Sequence, residues 1–309
     1  MVKRNRAASS EEEMIARIRR RAGLPASGSI VLGIGDDCAI FRPRGSNEDL
    51  LFTTDMLIEG THFLRAHPPA DLGWKALARG LSDIAAMGGE PRFCLLSLAV
   101  AEWGDARWVD GFYRGLLRLA HREKTALAGG DLARTDKVMC DIVVCGAVPR
   151  GAGLRRDGAR AGNAIYVSGR LGGSARGLAT RQGAAWKRHR RPEPRLALGQ
   201  FLRTKLRATA AMDLSDGLSL DLHRLCLASG LSAEVERPPA FRGATIEQAL
   251  HGGEDYELLF TVGARTRTPA EFEGIPLTRI GTMRKGHPGL VELDGIPLAP
   301  LGYDHFRKR

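Results

Sequence analysis

The chain of 309 residues and 33.5 kDa contains 43% hydrophobic and 26% charged residues, a globular balance that argues against a mostly disordered chain. Its formal net charge is +11, yet segments 1–22 and 181–210 supply the whole excess. We interpret these segments as solvated basic faces, with a phosphate-recruiting rim as the rival interpretation. Because only 6% of the residues are aromatic, a base-stacking nucleic-acid surface is poorly supported.

The longest apolar run, residues 93–101, is about half of what a membrane span needs. No apolar segment follows the basic N-terminus, so no secretory signal is expected. The five cysteines are odd in number and form no C-x-x-C motif. We therefore expect reduced thiols in a cytoplasmic protein without a membrane partner.

Strand and helix signals alternate along the chain. Segments 74–87, 108–121 and 218–229 carry apolar residues at helical spacing, and the last is followed by Gly230, a typical helix stop. The stretch 149–153, with its Pro and Gly residues, predicts a boundary between two α/β domains, 1–149 and 150–309. Strands rich in Val, Ile, Leu and Phe are predicted at 31–34, 49–53, 93–101, 138–148, 164–167, 233–235 and 257–262.

The aspartates fall beside glycine or small hydroxyl residues, mostly where an element is predicted to end. At such points the backbone can approach a ligand closely and carboxylates can converge. The motifs are GIGDD after a strand (33–37), TTD at a strand end (53–55), LSD on a helix (81–83), GGD in a turn before a strand (129–131), MDLSDG between a strand and a helix (212–217) and GGEDYE before a strand (252–257).

Clustered carboxylates raise one another's pKa unless cations neutralise them, and Mg²⁺ commonly bridges carboxylates to substrate phosphates. The sequence contains no P-loop, no zinc motif and no serine-hydrolase elbow. Each acidic motif also has a plainer interpretation: Asp36 and Asp37 could cap a turn, Asp83 could pair with Arg79, and Ser215 could cap a helix. Their repetition along one chain favours a metal- and phosphate-binding site.

These motifs make the sequence resemble the thiamine-monophosphate kinases, within the wider family that includes aminoimidazole ribonucleotide synthetase and selenophosphate synthetase. The resemblance runs from Gly33 to Phe306, and the order and spacing of the motifs are its specific feature. The segments that carry it are GIGDDCAIF, TTDMLIEGTHF, KALARGLSDIAAMGGEP, GGDLART, RHRRPEPR, MDLSDGLSLDL, LHGGEDYELLFTV and GYDHF.

The resemblance implies a two-domain, aminoimidazole ribonucleotide synthetase-like α/β (α+β) fold whose N-terminal sheet pairs across a homodimer. It also implies an ATP-dependent kinase that uses several Mg²⁺ ions and phosphorylates thiamine monophosphate. The implied metal ligands are Asp37, Thr53, Thr54, Asp55, Asp83, Asp131, Asp213 and Asp216. The implied ATP contacts are Tyr113, Gly130, Asp131, Arg156 and Ser215, and the implied substrate contacts are His62, Glu254 and Tyr303.

No catalytic acid or base is assigned. A phosphate monoester has a second pKa of about 6, so its attacking oxygen is already ionised and direct in-line transfer needs no general base. The chain departs from the family at Gly80, where Asn is frequent, and at 132–135, where Thr-Thr-Arg-Gly is frequent. Two alternatives stay open: a related ATP-dependent enzyme with another acceptor, and a binder of RNA or acidic surfaces that uses the basic segments.

Overall fold

The computed structural model describes residues 10–23 and 28–306, so the first nine residues of the basic N-terminal segment lie outside the described part. The first half of the chain contains α1 (Glu11–Ala22), β1 (Ile30–Leu32), β2 (Ala39–Phe41), β3 (Glu48–Ile58), α2 (Pro69–Ala86), β4 (Glu90–Ala101), α3 (Ala106–Arg122), β5 (Ala126–Thr135) and β6 (Met139–Pro149).

The second half contains shorter helices and a second set of strands. It begins with a 3₁₀ turn (Arg156–Gly158), and a π-helical turn (Leu202–Leu206) follows its third helix. Its elements are β7 (Ala164–Ser168), α4 (Gly173–Thr180), α5 (Gly183–Arg190), α6 (Leu196–Phe201), β8 (Ala210–Asp213), α7 (Leu218–Ser229), β9 (Ser232–Val235), α8 (Ile246–His251), β10 (Leu258–Val262), β11 (Glu271–Phe272), β12 (Ile275–Arg284), β13 (Val291–Leu293) and β14 (Ile296–Pro297).

The first sheet has six strands in the order β1-β2-β3-β6-β4-β5, and α2 packs across β3 and β6 and against α3. Leu77, Leu81 and Ile84 recur at helical spacing on α2 and are fully buried. The predicted helix is confirmed, but it begins earlier than expected, at Pro69. Proline is favoured in the first helical turn because the amide hydrogen it lacks would have no partner there.

The opposite face of the first sheet is exposed. Side chains alternate along β4, so Leu96 and Leu98 are buried whereas Leu95 is 38% exposed. We call this exposed surface the open face. One register row crosses it, from Met56 through Asp141 and Ser97 to Asp131 on the edge strand β5.

The second sheet follows the order β14-β13-β9-β12-β7-β10-β8, with β11 paired to β12. Phe260 and Leu277 from this sheet belong to the same buried cluster as Leu77 and Leu81, so the two sheets share a hydrophobic core. The strands of the first sheet end at Pro149 and those of the second begin at Ala164. The mixed α/β fold class is confirmed, while the domain division at 149/150 remains a prediction.

Two local expectations were wrong. Residues 53–55 lie in the middle of β3 rather than at its end, because Asp55 and Met56 continue the ladder with β6. Residues 129–131 lie within β5 rather than in a turn, since their glycines pair with Leu95 and Leu96 of β4. An added Cβ at Gly130 would lie 1.8 Å from the Leu96 carbonyl oxygen, so close strand contact rather than a turn explains this glycine. Among the described residues no helix is long and apolar enough to cross a bilayer.

Candidate active site

Three of the predicted metal ligands converge. One carboxylate oxygen from each of Asp37, Asp83 and Asp213 lies within 4.8 Å of the others. Asp37 follows β1, Asp83 lies on α2 and Asp213 ends β8, so the two sheets and the helix between them each place one acid. Three of the acidic sequence motifs therefore form one site, and we call the three carboxylates the carboxylate cluster.

Neighbouring side chains hold each member of the carboxylate cluster. The Thr53 hydroxyl donates to Asp83, and the Ser82 hydroxyl donates to Asp213 at 2.8 Å. Arg156 Nη2 donates to Asp37 Oδ1 at 2.6 Å. Thr53 and Arg156 were both predicted for this region. Arg156 reaches a cluster member directly, so the start of the second half of the chain is tied to the loop after β1.

The electrostatics of the cluster disfavour three negative charges. Burial raises the pKa of Asp83 well above its ordinary value, and Asp55 and Asp213 raise it further. Burial likewise raises the pKa of Asp213, with Asp37 as the next cause. Burial and the neighbouring Asp37 raise the pKa of Asp36 to about 7. Oxygen ligands this close, whose ionised forms repel one another, suit a hard cation such as Mg²⁺.

Asp55 faces α2 on the same side of β3 as Thr53. Its carboxylate accepts a hydrogen bond from Arg79 Nη2 at 2.8 Å. The plainer interpretation of Asp83 as the partner of Arg79 is therefore wrong, because Arg79 pairs with Asp55 and Asp83 accepts from Thr53.

Thr54 and Asp131 lie on the open face instead, because side chains alternate along a strand. The Thr54 hydroxyl donates to Asp141 Oδ1 at 2.7 Å, and Asp131 is exposed on β5. Within one chain these two residues are on the other side of the sheet from the carboxylate cluster. Tyr113 packs on α3 beside Phe112, with ring centroids 5.8 Å apart. The assignments of Thr54, Asp131 and Tyr113 remain predictions.

The loop before α7 carries two predicted residues, Ser215 and Asp216. Ser215 is not the helix cap that the plainer interpretation proposed, since α7 begins after Gly217 without a side-chain cap. Instead, one carboxylate oxygen of Asp221 accepts from the amides of both Asp216 and Gly217, each at 3.0 Å. Arg224 forms ion pairs with Asp216 and Asp221. These contacts fix the loop beside Asp213.

The predicted substrate residues lie at the other end of α2. Lys75 Nζ is 2.7 Å from Glu254 Oε1 and 3.5 Å from the His62 carbonyl oxygen. The His62 and His305 rings are 5.0 Å apart, and the Tyr303 ring is 4.8 Å from His305. The structure thus connects His62 with the C-terminal segment that carries Tyr303, and connects both His62 and Glu254 with α2.

Burial and nearby charges set the ionisation of this region. Burial lowers the pKa of His62 to about 4, with Arg79 as the next cause, so its ring is neutral near pH 7. Burial opposes ionisation of Glu254, but Lys75 and His189 outweigh it and the pKa of Glu254 is lowered. The neutral ring of His62 and the carboxylate of Glu254 suit contact with a polar, partly cationic organic molecule.

Four of the nine Lys and Arg residues in the basic segment 181–210 form ion pairs within the fold. Arg188 and Arg195 pair with the fully buried Glu257, and Arg190 and Arg191 both pair with Asp71. These four guanidinium groups are paired with three internal carboxylates, because Arg188 also contacts Asp255. Ion pairing therefore takes up only part of the charge on which the nucleic-acid alternative depended.

Several residues of the site were not predicted as such from the sequence: Asp36, Lys75, Arg79, Ser82, Asp221 and Arg224. A signal existed for two of them, because Lys75 and Arg79 precede the predicted Asp83 at four-residue intervals and such residues share one helical face. The departure at Gly80 also has a physical context. A Cβ at this position would lie 2.5 Å from Val144 Cγ2, so β6 occupies the space of a side chain.

Comparisons with known proteins show which families and structures the chain is similar to. Residues 35–149 match the family model described as AIR synthase related protein, N-terminal domain. The thiamine-monophosphate kinase of Salmonella typhimurium is 40% identical over 302 residues, covering 89% of this chain and 91% of that protein.

Two solved structures extend the similarity to three dimensions. The complex of AaThiL with AMPPCP and TMP superimposes with a TM-score of 0.85 at 33% identity, covering 96% of this chain and 97% of that one. The thiamine-monophosphate kinase of Stenotrophomonas maltophilia K279a gives a TM-score of 0.74 at 38% identity, with 93% and 96% covered.

Proposed function

Because the chain belongs to the thiamine-monophosphate kinase family, we propose that it transfers the γ-phosphoryl group of ATP to thiamine monophosphate, giving thiamine diphosphate and ADP. The observation that carries this proposal is the convergence of Asp37, Asp83 and Asp213 at one end of α2 while His62 and Glu254 lie at the other. Such a layout suits a nucleotide at the carboxylate cluster and an organic acceptor beside it. The AaThiL complex, which holds AMPPCP and TMP, supports it.

We assign Mg²⁺ to the carboxylate cluster. Its donors are all oxygens, and the raised pKa values of Asp83 and Asp213 reflect a charge that a cation would offset. Asp37, Asp83 and Asp213 would be the central ligands, with Thr53 and Asp55 beside them. Bound there, the metal supplies charge neutralisation and orientation for the ATP phosphates. Thr54, Asp131 and Asp216 remain predicted ligands of further ions.

The chain's own residues perform positioning rather than proton transfer. The acceptor phosphate has a second pKa of about 6 and is ionised at neutral pH, so the attacking oxygen needs no base. His62 is neutral there because burial lowers its pKa to about 4. Arg156 offsets the charge of Asp37 and orients it. Holding two anions in line is the main contribution to rate.

We further propose that the protein works as a homodimer in the cytoplasm. The open face exposes the apolar side chains of Met56 (51%) and Leu95 (38%) beside polar ones, and a second subunit would cover them. The family resemblance implies that the pairing uses this sheet. Thr54 and Asp131 would then lie at the interface. Light scattering coupled to size-exclusion chromatography tests the dimer directly.

Product analysis tests the reaction. Purified protein is incubated with ATP, Mg²⁺ and thiamine monophosphate, with an EDTA control, and the products are separated by HPLC. Equal amounts of thiamine diphosphate and ADP that disappear in EDTA are expected. ADP without thiamine diphosphate would favour a related enzyme with another acceptor. Absence of both products from folded protein would contradict the proposal.

A further inference from the structure

Three charged side chains of α2 form a row along one face of the helix. Lys75, Arg79 and Asp83 follow one another at four-residue intervals, and each step advances about 6 Å along the axis. Lys75 contacts Glu254 and the His62 carbonyl, whereas Asp83 belongs to the carboxylate cluster. The row therefore runs from the acceptor residues to the nucleotide end of the site, with Arg79 in the middle.

Arg79 is a cation whose hydrogen-bonding capacity is only partly used. Nη1 donates to the Met56 carbonyl and Nη2 to Asp55 Oδ1, each at 2.8 Å. Nε is buried and has no hydrogen-bond partner among the described residues. Burial opposes the charge, but the guanidinium stays charged because the pKa of an arginine lies far above neutrality and Asp55 lies beside it.

We propose that Arg79 binds the phosphate group of the acceptor. The inference rests on the proposed function, because it takes thiamine monophosphate as the molecule that contacts His62 and Glu254. The phosphate of such a molecule must point toward the carboxylate cluster, and the α2 row places Arg79 on that path. A planar guanidinium holds phosphate with two parallel hydrogen bonds, which an ammonium group cannot do.

The contact fits the chemistry of transfer. One oxygen of the acceptor phosphate forms a bond to the γ-phosphorus of ATP. The bond from that phosphorus to the β–γ bridging oxygen breaks, and the electron pair leaves on ADP. Arg79 gives and takes no proton in this step. It orients the attacking phosphate and offsets part of the repulsion between the two anions. The carboxylates of the cluster cannot do this themselves, because they are also negatively charged.

Binding measurements separate this contact from catalysis. Isothermal titration calorimetry without ATP or Mg²⁺ compares thiamine monophosphate with thiamine, which lacks the phosphate. The wild-type chain is expected to prefer the phosphorylated ligand. Arg79→Met should weaken thiamine monophosphate about tenfold to a hundredfold and leave thiamine within about twofold. Arg284→Met, which removes an exposed arginine paired with Glu234 on the second sheet, should change neither.

Three results would overturn the proposal. The first is a wild-type protein that binds thiamine and thiamine monophosphate equally. The second is an Arg79→Met variant that weakens both ligands by the same factor, as a purely structural role would. The third concerns Arg79→Lys, which keeps a cation beside Asp55 and so protects the fold if the methionine variant is unstable. Unchanged affinity of this variant for thiamine monophosphate would contradict a bidentate contact.

The proposed function fails separately from this inference. If HPLC shows no thiamine diphosphate while wild-type protein still prefers the phosphorylated ligand and Arg79→Met loses that preference, the phosphate contact stands and the reaction is wrong. If thiamine diphosphate forms but the preference is independent of Arg79, the reaction stands and the contact is wrong.

Discussion

The ammonium group of Lys75 lies 2.7 Å from the carboxylate of Glu254, and the Lys75 side chain is only 2% exposed. Burial lowers the pKa of this lysine, and its pairing with Glu254 opposes that shift. The pair joins α2 to the loop before β10. It therefore links the stability of this loop to the placement of a predicted substrate residue.

Removing one partner of this pair should cost stability and acceptor binding together. Lys75→Met leaves Glu254 without its closest cation, and we expect a loss of about 3 kcal/mol in the free energy of unfolding. The KM for thiamine monophosphate should rise while that for ATP stays within about twofold. Urea denaturation and steady-state kinetics measure the two effects. The double variant Lys75→Met/Glu254→Gln should recover stability, and a double variant less stable than either single one would contradict the pairing.

Neutralising a member of the carboxylate cluster should separate activity from stability. Asp83→Asn keeps the size of the side chain and removes a charge that burial and two acids disfavour. We expect kcat to fall by about a hundredfold or more, with the melting temperature unchanged or raised. Asp131→Asn should also reduce kcat with the fold intact. Asp157→Asn, at an exposed acid outside the cluster, is the control for both. Near-normal turnover in both site variants would contradict the assignment.

Glu257 should make the protein sensitive to acid. Burial opposes its charge, but Arg195 and Arg188 outweigh burial and lower its pKa to about 2 from an ordinary value of 4.5. A depressed pKa means that the stabilisation is complete above pH 4.5 and is lost as the pH falls toward 2. The difference corresponds to about 3 kcal/mol. Unfolding free energies measured from pH 5 to pH 2.5 should fall less steeply in Glu257→Gln than in the wild type. Glu234→Gln, at an exposed carboxylate, should retain the wild-type slope.

Gly80 should tolerate no larger residue without a change in β6. An added Cβ would lie 2.5 Å from Val144 Cγ2, so Gly80→Asn is expected to cost about 1–3 kcal/mol of stability. Val144→Ala should restore part of that loss by removing the clashing methyl group. Thermal melts of the two single variants and the double variant check this. Equal destabilisation by Gly80→Asn in both backgrounds would show that another contact is responsible.

The sequence could predict which residues meet, but not always on which side of a sheet. The spacing of Leu77, Leu81 and Ile84 predicted α2, because a 3.6-residue period is legible without tertiary contacts. The residue types around Asp37, Asp83 and Asp213 predicted a shared site, and the structure brings them together. The face on which each of the other motif residues lies depends on how the strands pair. The ladder between β3 and β6 runs through residues 53–55, and strand alternation then sends Thr54 away from Thr53.

Ion pairs between residues far apart in the chain could not be predicted from the sequence either. Segment 181–210 reads as a solvated basic face because its partners Asp71 and Glu257 are far away in the chain. The same limitation hid Lys75, whose partner Glu254 comes from the second half of the chain. Charge counting along a sequence cannot tell an internal counter-charge from a surface one.

The carboxylate cluster draws Asp37 from the first half of the chain and Asp213 from the second, with Asp83 between them. When these side chains are ionised, their repulsion pushes the two sheets apart. A cation that occupies the cluster would replace this repulsion with attraction to all three carboxylates. Because the cation would bind the folded state alone, stability would rise with the logarithm of the cation concentration. A cation bound at this site would thus stabilise the contact between the two halves of the chain, and it would do so without a bound nucleotide.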